Sequence, residues 1–175
     1  MIESLSESAS LEADALYLAV LAARGVKPLS RLEYPVPPDV LFVLEGLGLA
    51  LGVVRRVARN GALCIHHVMS LNPNLIRQYL AEFDGALLSR RAPSVVRAEA
   101  RYFGYPSCCA ESFISEPYAP NGLPWADQCL LFHHACPACV ETPGLLPLYR
   151  AAHAEAQALF ESLTRARVLD PSLSC

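Results

Sequence analysis

Leu49-Ala-Leu-Gly-Val-Val-Arg-Arg-Val-Ala-Arg-Asn-Gly-Ala-Leu-Cys-Ile-His-His-Val-Met-Ser70 decides the fold. Leu49 to Ala58 and Ala62 to Ser70 are rich in valine, leucine and isoleucine, and Asn60-Gly61 lies between them. Asn-Gly is the favoured pair for a type I′ hairpin because both residues tolerate positive φ, so the stretch predicts two antiparallel strands. Asn72 followed by Pro73 reads as a helix N-cap with proline at N1. Leu75, Ile76, Tyr79, Leu80 and Phe83 then recur at helical spacing, which predicts a helix packed on the hairpin.

Working outward, Leu11 to Arg24 reads as a helix stopped by Gly25. Prolines 35, 37 and 38 force an extended connection, and Asp39 is placed to cap a short helix reaching about Leu47, with Gly48 as its stop. Downstream, Gly85 to Ser89 reads as one more short strand, and Pro93 opens a helix that ends near Gly104. Thr142 as N-cap and Pro143 at N1 begin a final helix. Its apolar stripe is Leu145, Leu148, Tyr149, Ala152, Ala156, Leu159, Phe160 and Leu163, with Pro171 marking the tail. The expected class is α+β, a small antiparallel sheet covered by helices. One domain is expected over 1–175, with helices and hairpin in 1–100 and a cysteine-rich helical part in 101–170.

The composition limits the function. A chain of 175 residues with 53% hydrophobic content can build its own core, so metal is not required merely to fold it. The same apolar content leaves room for an interface between copies of the chain. A net charge of −3 supplies no global field for nucleic acid, and Arg55, Arg56, Arg59, Arg90 and Arg91 read as solvated surface. Met1 to Leu11 lacks the basic start of a signal peptide, and Val40 to Val54 is too short and too glycine-rich to span a bilayer. A cytoplasmic protein with no membrane partner is expected, in which cysteines stay unpaired.

Five of the seven cysteines fall between Cys108 and Cys139. Tyr102-Phe-Gly-Tyr-Pro-Ser-Cys-Cys109 is followed by His133-His-Ala-Cys-Pro-Ala-Cys139. A C-x2-C turn brings two sulfurs to one ion. Pro106-Ser107 reads as a helix start, and Cys139 stands just before Thr142. Both cysteine groups therefore lie near helix N-termini, where the dipole favours thiolate. The candidate ligands are Cys108, Cys109, His133, Cys136 and Cys139, and one tetrahedral zinc set is Cys109, Cys136 and Cys139 with Cys108 or His133. Because neighbouring residues at a helix start diverge, Cys108 and Cys109 would also suit different irons of an iron–sulfur cluster, although the ferredoxin spacing is absent. A third reading treats Cys136-Pro-Ala-Cys139 as a redox dithiol. A fourth makes the metal knot a support for a partner- or nucleic-acid-binding surface.

Around this segment, Glu111 and His134 are the candidates for a general base beside a metal-bound water. Glu111 and Glu141 are equally explained by helix-dipole complementation. Cys129 is either a spare ligand or a buried hydrophobe, and Cys64 reads as a buried hydrophobe. His66 and His67 must face opposite sides of their strand, and His153 reads as packing. Tyr102, Tyr105 and Trp125 read as core or pocket wall. No phosphate loop, nucleophile elbow or paired-carboxylate motif names a substrate.

The two segments Tyr102 to Cys109 and His133 to Cys139 resemble the uncharacterised domain-of-unknown-function family 483. Its hallmark is aromatic-Gly-Tyr-Pro-x-Cys-Cys followed by His-x2-Cys-x2-Cys. The resemblance extends more weakly over Gly48 to Leu80. It implies that the two cysteine segments belong together, and it implies no reaction.

Overall fold

Ala15 to Ala22 is apolar on every side, and a helix of that kind belongs in a core. In the computed structural model each of these residues is at most 7% exposed. The structure describes residues 2–34, 36–88 and 92–169, with side chains from residue 11 onward. The stretch forms the inner half of α1 (Ile2–Ala23), which begins well before the Leu11 start that the sequence suggests.

The elements that follow are β1 (Ser30–Leu32), α2 (Pro38–Gly46), β2 (Ala50–Val57), β3 (Leu63–Ser70), α3 (Pro73–Phe83), α4 (Pro93–Phe103), α5 (Ser107–Ser115), α6 (Trp125–Gln128) and α7 (Thr142–Leu169). The class is α+β, as expected: the strands make one antiparallel sheet in the order β1-β3-β2, packed against helices. One core cluster gathers α1, α2 and α7, and reaches Cys109 and Cys136. A second lies between the sheet, α3 and α4, around Val54, Val68, Tyr79 and Phe103. No helix among the described residues is long and apolar enough to cross a membrane.

Several local expectations need correction. The hairpin loop is Arg59–Gly61, closed by Ala58 N to Ala62 O at 2.8 Å, and Gly61 alone takes positive φ. It is therefore not type I′, which would need Asn60 at positive φ as well. A three-residue loop ending in a left-handed glycine is the alternative that such sequences use. Pro37, not Asp39, caps α2, and Asp39 sits in its first turn. Gly85 to Leu88 makes only a single parallel bridge, Val57 to Leu87, rather than a strand. Ser89, Arg90, Arg91, Pro35, Pro171 and Cys175 lie outside the described residues. Asn72 does cap α3, its side chain accepting from Asn74 N at 3.0 Å.

Arg56 is the largest departure from the surface reading, being 0% exposed. Its Nη1 donates to Glu99 Oε1 at 3.0 Å and its Nη2 to Leu87 O at 3.2 Å. The same Glu99 oxygen accepts from Arg31 at 2.5 Å and from the Tyr79 hydroxyl at 3.3 Å. Hydrogen bonds to a buried charge pair offset the cost of desolvating it, and here only Arg56 Nε of the guanidinium goes without a partner among the described residues. Here β1, β2, α3 and α4 each contribute one member, which fixes α4 over the sheet.

Gly52 marks where α3 rests on β2. A Cβ there would stand 2.6 Å from Ile76 Cγ2 and 3.2 Å from Val68 Cγ2. Gly52→Ala is expected to destabilise the fold by about 1–3 kcal/mol, as overpacking does. In urea titrations, Ile76→Ala should offset part of that loss, so the double variant is less destabilised than the two single effects together. Full additivity would mean that α3 does not bear on Gly52.

Candidate metal centre

The first cysteine pair is positioned by the junction of α4 and α5. Gly104 ends α4 in the left-handed region at φ 69°, where a Cβ would also meet Pro28 Cδ at 2.6 Å. Pro106 then caps α5, and its carbonyl accepts from Cys109 N and Ala110 N at 3.0 and 3.1 Å. Cys108 and Cys109 thus occupy the first turn, as the sequence indicates.

The second pair comes from the loop between α6 and α7. Asn121 clasps that loop, its Nδ2 donating to Gln128 Oε1 at 2.7 Å and to Ala135 O at 3.0 Å. Gln128 Nε2 in turn donates to His133 O at 2.9 Å. The Cys136-Pro-Ala-Cys139 turn closes through Cys139 N to Cys136 O at 3.2 Å.

These two segments bring the sulfurs of Cys108, Cys109, Cys136 and Cys139 within 4.8 Å of one another, a group that could hold a metal ion. The Cys108 and Cys139 sulfurs are 3.7 Å apart. Adjacent helical residues diverge by about 100°. They can share one centre because it sits astride the helix start: Cys109 reaches it from the core side at 1% exposure, and Cys108 from the solvent side.

Backbone and hydroxyl donors point at two of the sulfurs. Cys109 Sγ accepts from Cys136 N at 3.3 Å. Cys139 Sγ accepts from Thr142 N at 3.3 Å and Thr142 Oγ1 at 3.1 Å. Burial opposes ionisation of Cys139, but the two Thr142 donors, together with the Cys109 thiol and the Glu141 N–H, outweigh it and hold the thiol down at about 7. Cys108, pressed by burial and by the Cys136 and Cys139 thiols, is pushed up to about 11, and burial drives Cys109 higher. Without a cation, four crowded sulfurs cannot all ionise. A bound metal cation would supply the missing charge.

His133 stands outside the four-sulfur group. Its Nε2 lies 3.4 Å from Thr142 Oγ1, whose hydroxyl donates to Cys139, and its ring stacks on Tyr105 at 5.1 Å. It therefore sits one hydrogen bond behind a sulfur. Burial, then the nearby Lys27 and His134, depress it to about 4, so it is neutral at neutral pH. His134 Nε2 donates to Ala119 O at 2.7 Å, and Glu111 is bound by Arg97 at 2.6 and 2.8 Å. Neither belongs to the group. Glu141 is exposed, and its carbonyl accepts from Gly144 N and Leu145 N at the start of α7.

Cys129 is exposed and Cys64 half-buried, so neither is the buried hydrophobe that its apolar setting suggests. His66 is buried and His67 only partly so, on opposite faces of β3, and His153 packs edge-on against Tyr17 at 5.0 Å.

Sequence reasoning missed Thr142 as a sulfur donor, having assigned it to capping; its place three residues after Cys139 was the signal available. A cavity of about 550 Å³ lies beside the centre, walled by Cys109, Tyr105, Phe113, Phe132 and His133; of the aromatic residues read as core or pocket wall, Tyr105 and Trp125 line it and Tyr102 does not. Trp125 and Tyr118 line the same cavity, 80% and 68% exposed. Tyr118 carries positive φ, rare for a side chain of its size. Comparison with protein-family models, curated proteins and solved structures returned no match for the chain.

Proposed function

We propose that this is a zinc protein, its ion held by Cys108, Cys109, Cys136 and Cys139 in a closed tetrahedral site. The observation that carries the reading is the mutual spacing of the sulfurs, all within 4.8 Å. Zn–S bonds of about 2.3 Å give a tetrahedron with edges of about 3.8 Å. The 3.7 Å between Cys108 and Cys139 fits that edge. Thiolates on different irons of a cluster stand further apart than thiolates on one ion, so the spacing favours a mononuclear site. Four sulfur ligands leave no open position for water, and such a site serves structure. It ties the start of α5 to the approach to α7, and the donors from Cys136 N and Thr142 steady the thiolates. Membership of the domain-of-unknown-function family 483 belongs to the same reading and adds no reaction to it.

A second reading is favoured by one contact. Cys108 is exposed and its sulfur lies 3.7 Å from that of Cys139, so a metal-free chain would present a dithiol at that pair as well as within the C-x2-C turn.

Elemental analysis and a visible spectrum of protein purified without oxygen separate these readings. One zinc per chain with no visible absorbance is the expected result. Iron with sulfide and a brown colour would replace zinc by a cluster, and metal-free protein cycling between dithiol and Cys108–Cys139 disulfide would establish the second reading.

A further inference from the structure

Of the 14 lysine and arginine residues, Lys27 alone is a lysine. It follows the left-handed stop of α1 at Gly25, a position that usually leaves a lysine in water, yet it is 1% exposed. Its Nζ has no hydrogen-bond partner among the described residues. Three rings surround it instead: Tyr105 at 4.2 Å, Phe103 at 5.2 Å and Phe132 at 5.6 Å. The buried Arg56 makes the contrast, because its charge is met by Glu99 and the Leu87 carbonyl. A site that needed only a caged cation could use the guanidinium that serves everywhere else in the chain. Guanidinium stays charged, whereas a lysine can be buried as a neutral amine with a free lone pair.

The rings that cage Nζ are also walls of the 550 Å³ cavity: Phe103, Tyr105, Phe132 and the neighbouring His133 all line it. The amine therefore stands one side chain behind a space of the size that takes a small organic molecule. We propose that Lys27 is an imine-forming amine and that the cavity takes an aldehyde or ketone with an aromatic or apolar body. Burial and the nearby Arg31 both push the Lys27 amine well below its usual range, the two devices that activate lysine nucleophiles. The Nζ lone pair forms a bond to the carbonyl carbon as the C=O π pair moves to oxygen. A proton passes from nitrogen to that oxygen, giving a carbinolamine. Protonation of the hydroxyl from solvent lets it leave as water while the nitrogen lone pair forms the C=N bond, and loss of the remaining N–H proton to solvent returns the proton consumed. Amine and carbonyl thus give imine and water, with no oxidant or reductant. Lys27 is not itself in the cavity wall, so reaching Nζ requires the Tyr105 ring, packed between Phe103 and His133, to swing aside. The inference is independent of the metal reading, although Cys109 is shared between cavity wall and metal centre.

Benzaldehyde is the probe, with cyanoborohydride to reduce any imine to a stable secondary amine. Intact mass and peptide mapping of the full chain, with whatever metal it carries, read the result. The N-terminal amine is the chain's other amine, so it is an internal standard. Lys27 should be benzylated with saturable kinetics and at least about tenfold faster than the N-terminus, the advantage that a bound and oriented carbonyl confers. Lys27→Met should remove this adduct and leave N-terminal labelling intact. Val96→Trp, which fills the cavity from α4, should slow Lys27 labelling and spare the N-terminus. Labelling of the N-terminus alone in folded protein would overturn the proposal. So would Lys27 labelling that is unsaturable, or unaffected by Val96→Trp.

Discussion

Cys109→Ser is expected to release the bound metal and to lower the melting temperature by about 8–16 °C. An ion that binds only the folded chain at a thousand times its dissociation constant contributes about 4 kcal/mol. For a chain of this length each kcal/mol corresponds to about 2–4 °C. Serine nearly preserves the volume at this 1% exposed position and still accepts from Cys136 N, so little beyond the thiolate is lost. The corresponding serine variants at Cys108, Cys136 and Cys139 should lose metal in the same way. Cys64→Ser and Cys129→Ser alter thiols outside the group and should retain one ion per chain. His133→Ala should retain it too, with a modest loss of affinity through Thr142. Metal-to-protein ratios, with calorimetry before and after a chelator, check each outcome. Stoichiometric metal in Cys109→Ser, or a wild-type transition that ignores the chelator, would end the four-cysteine reading. Loss of metal in His133→Ala alone would restore histidine as a ligand.

What the sequence disclosed about this site was what is local. Two cysteines in the first turn of α5 and two in a C-x2-C turn before α7 are short-range facts, and both segments fold where their Pro-Ser and Thr-Pro starts indicate. The choice of Cys108 over His133 as the fourth neighbour was not legible, because it depends on distant partners. Tyr105, from the end of α4, holds the His133 ring, and Thr142 stands between that ring and Cys139. The same limit applies to the fold. The hairpin and its covering helix were readable from spacing. The fully buried Arg56 was not, because Glu99, which meets its charge, lies 43 positions away. Lys27 is the extreme case. Nothing in Gly25-Val-Lys-Pro beyond the helix stop at Gly25 marks Lys27, and its burial is created by Phe103, Tyr105 and Phe132, all far along the chain.

Lys27→Met should make the protein more stable, by an amount that depends on pH. The burial of an ammonium with no hydrogen-bond partner among the described residues, beside Arg31, holds the folded-state pKa well below the 10.5 of the unfolded chain. Between those two values the unfolded chain binds the extra proton, so wild-type stability must rise with pH across that window. The penalty in wild type is thus largest below the depressed folded pKa and vanishes as pH reaches 10.5. Methionine keeps the unbranched stem and packs on the same three rings without a charge to desolvate. Its advantage over wild type should therefore shrink by about 1.4 kcal/mol per pH unit as the solution is taken up toward 10.5. Urea denaturation of both proteins at a series of alkaline pH values measures this difference. Thiols and tyrosines titrate in both chains alike, so their contribution cancels in the comparison. An advantage that does not change with pH would show Lys27 to be an ordinary ammonium held by its rings, and would remove the neutral amine on which imine formation depends.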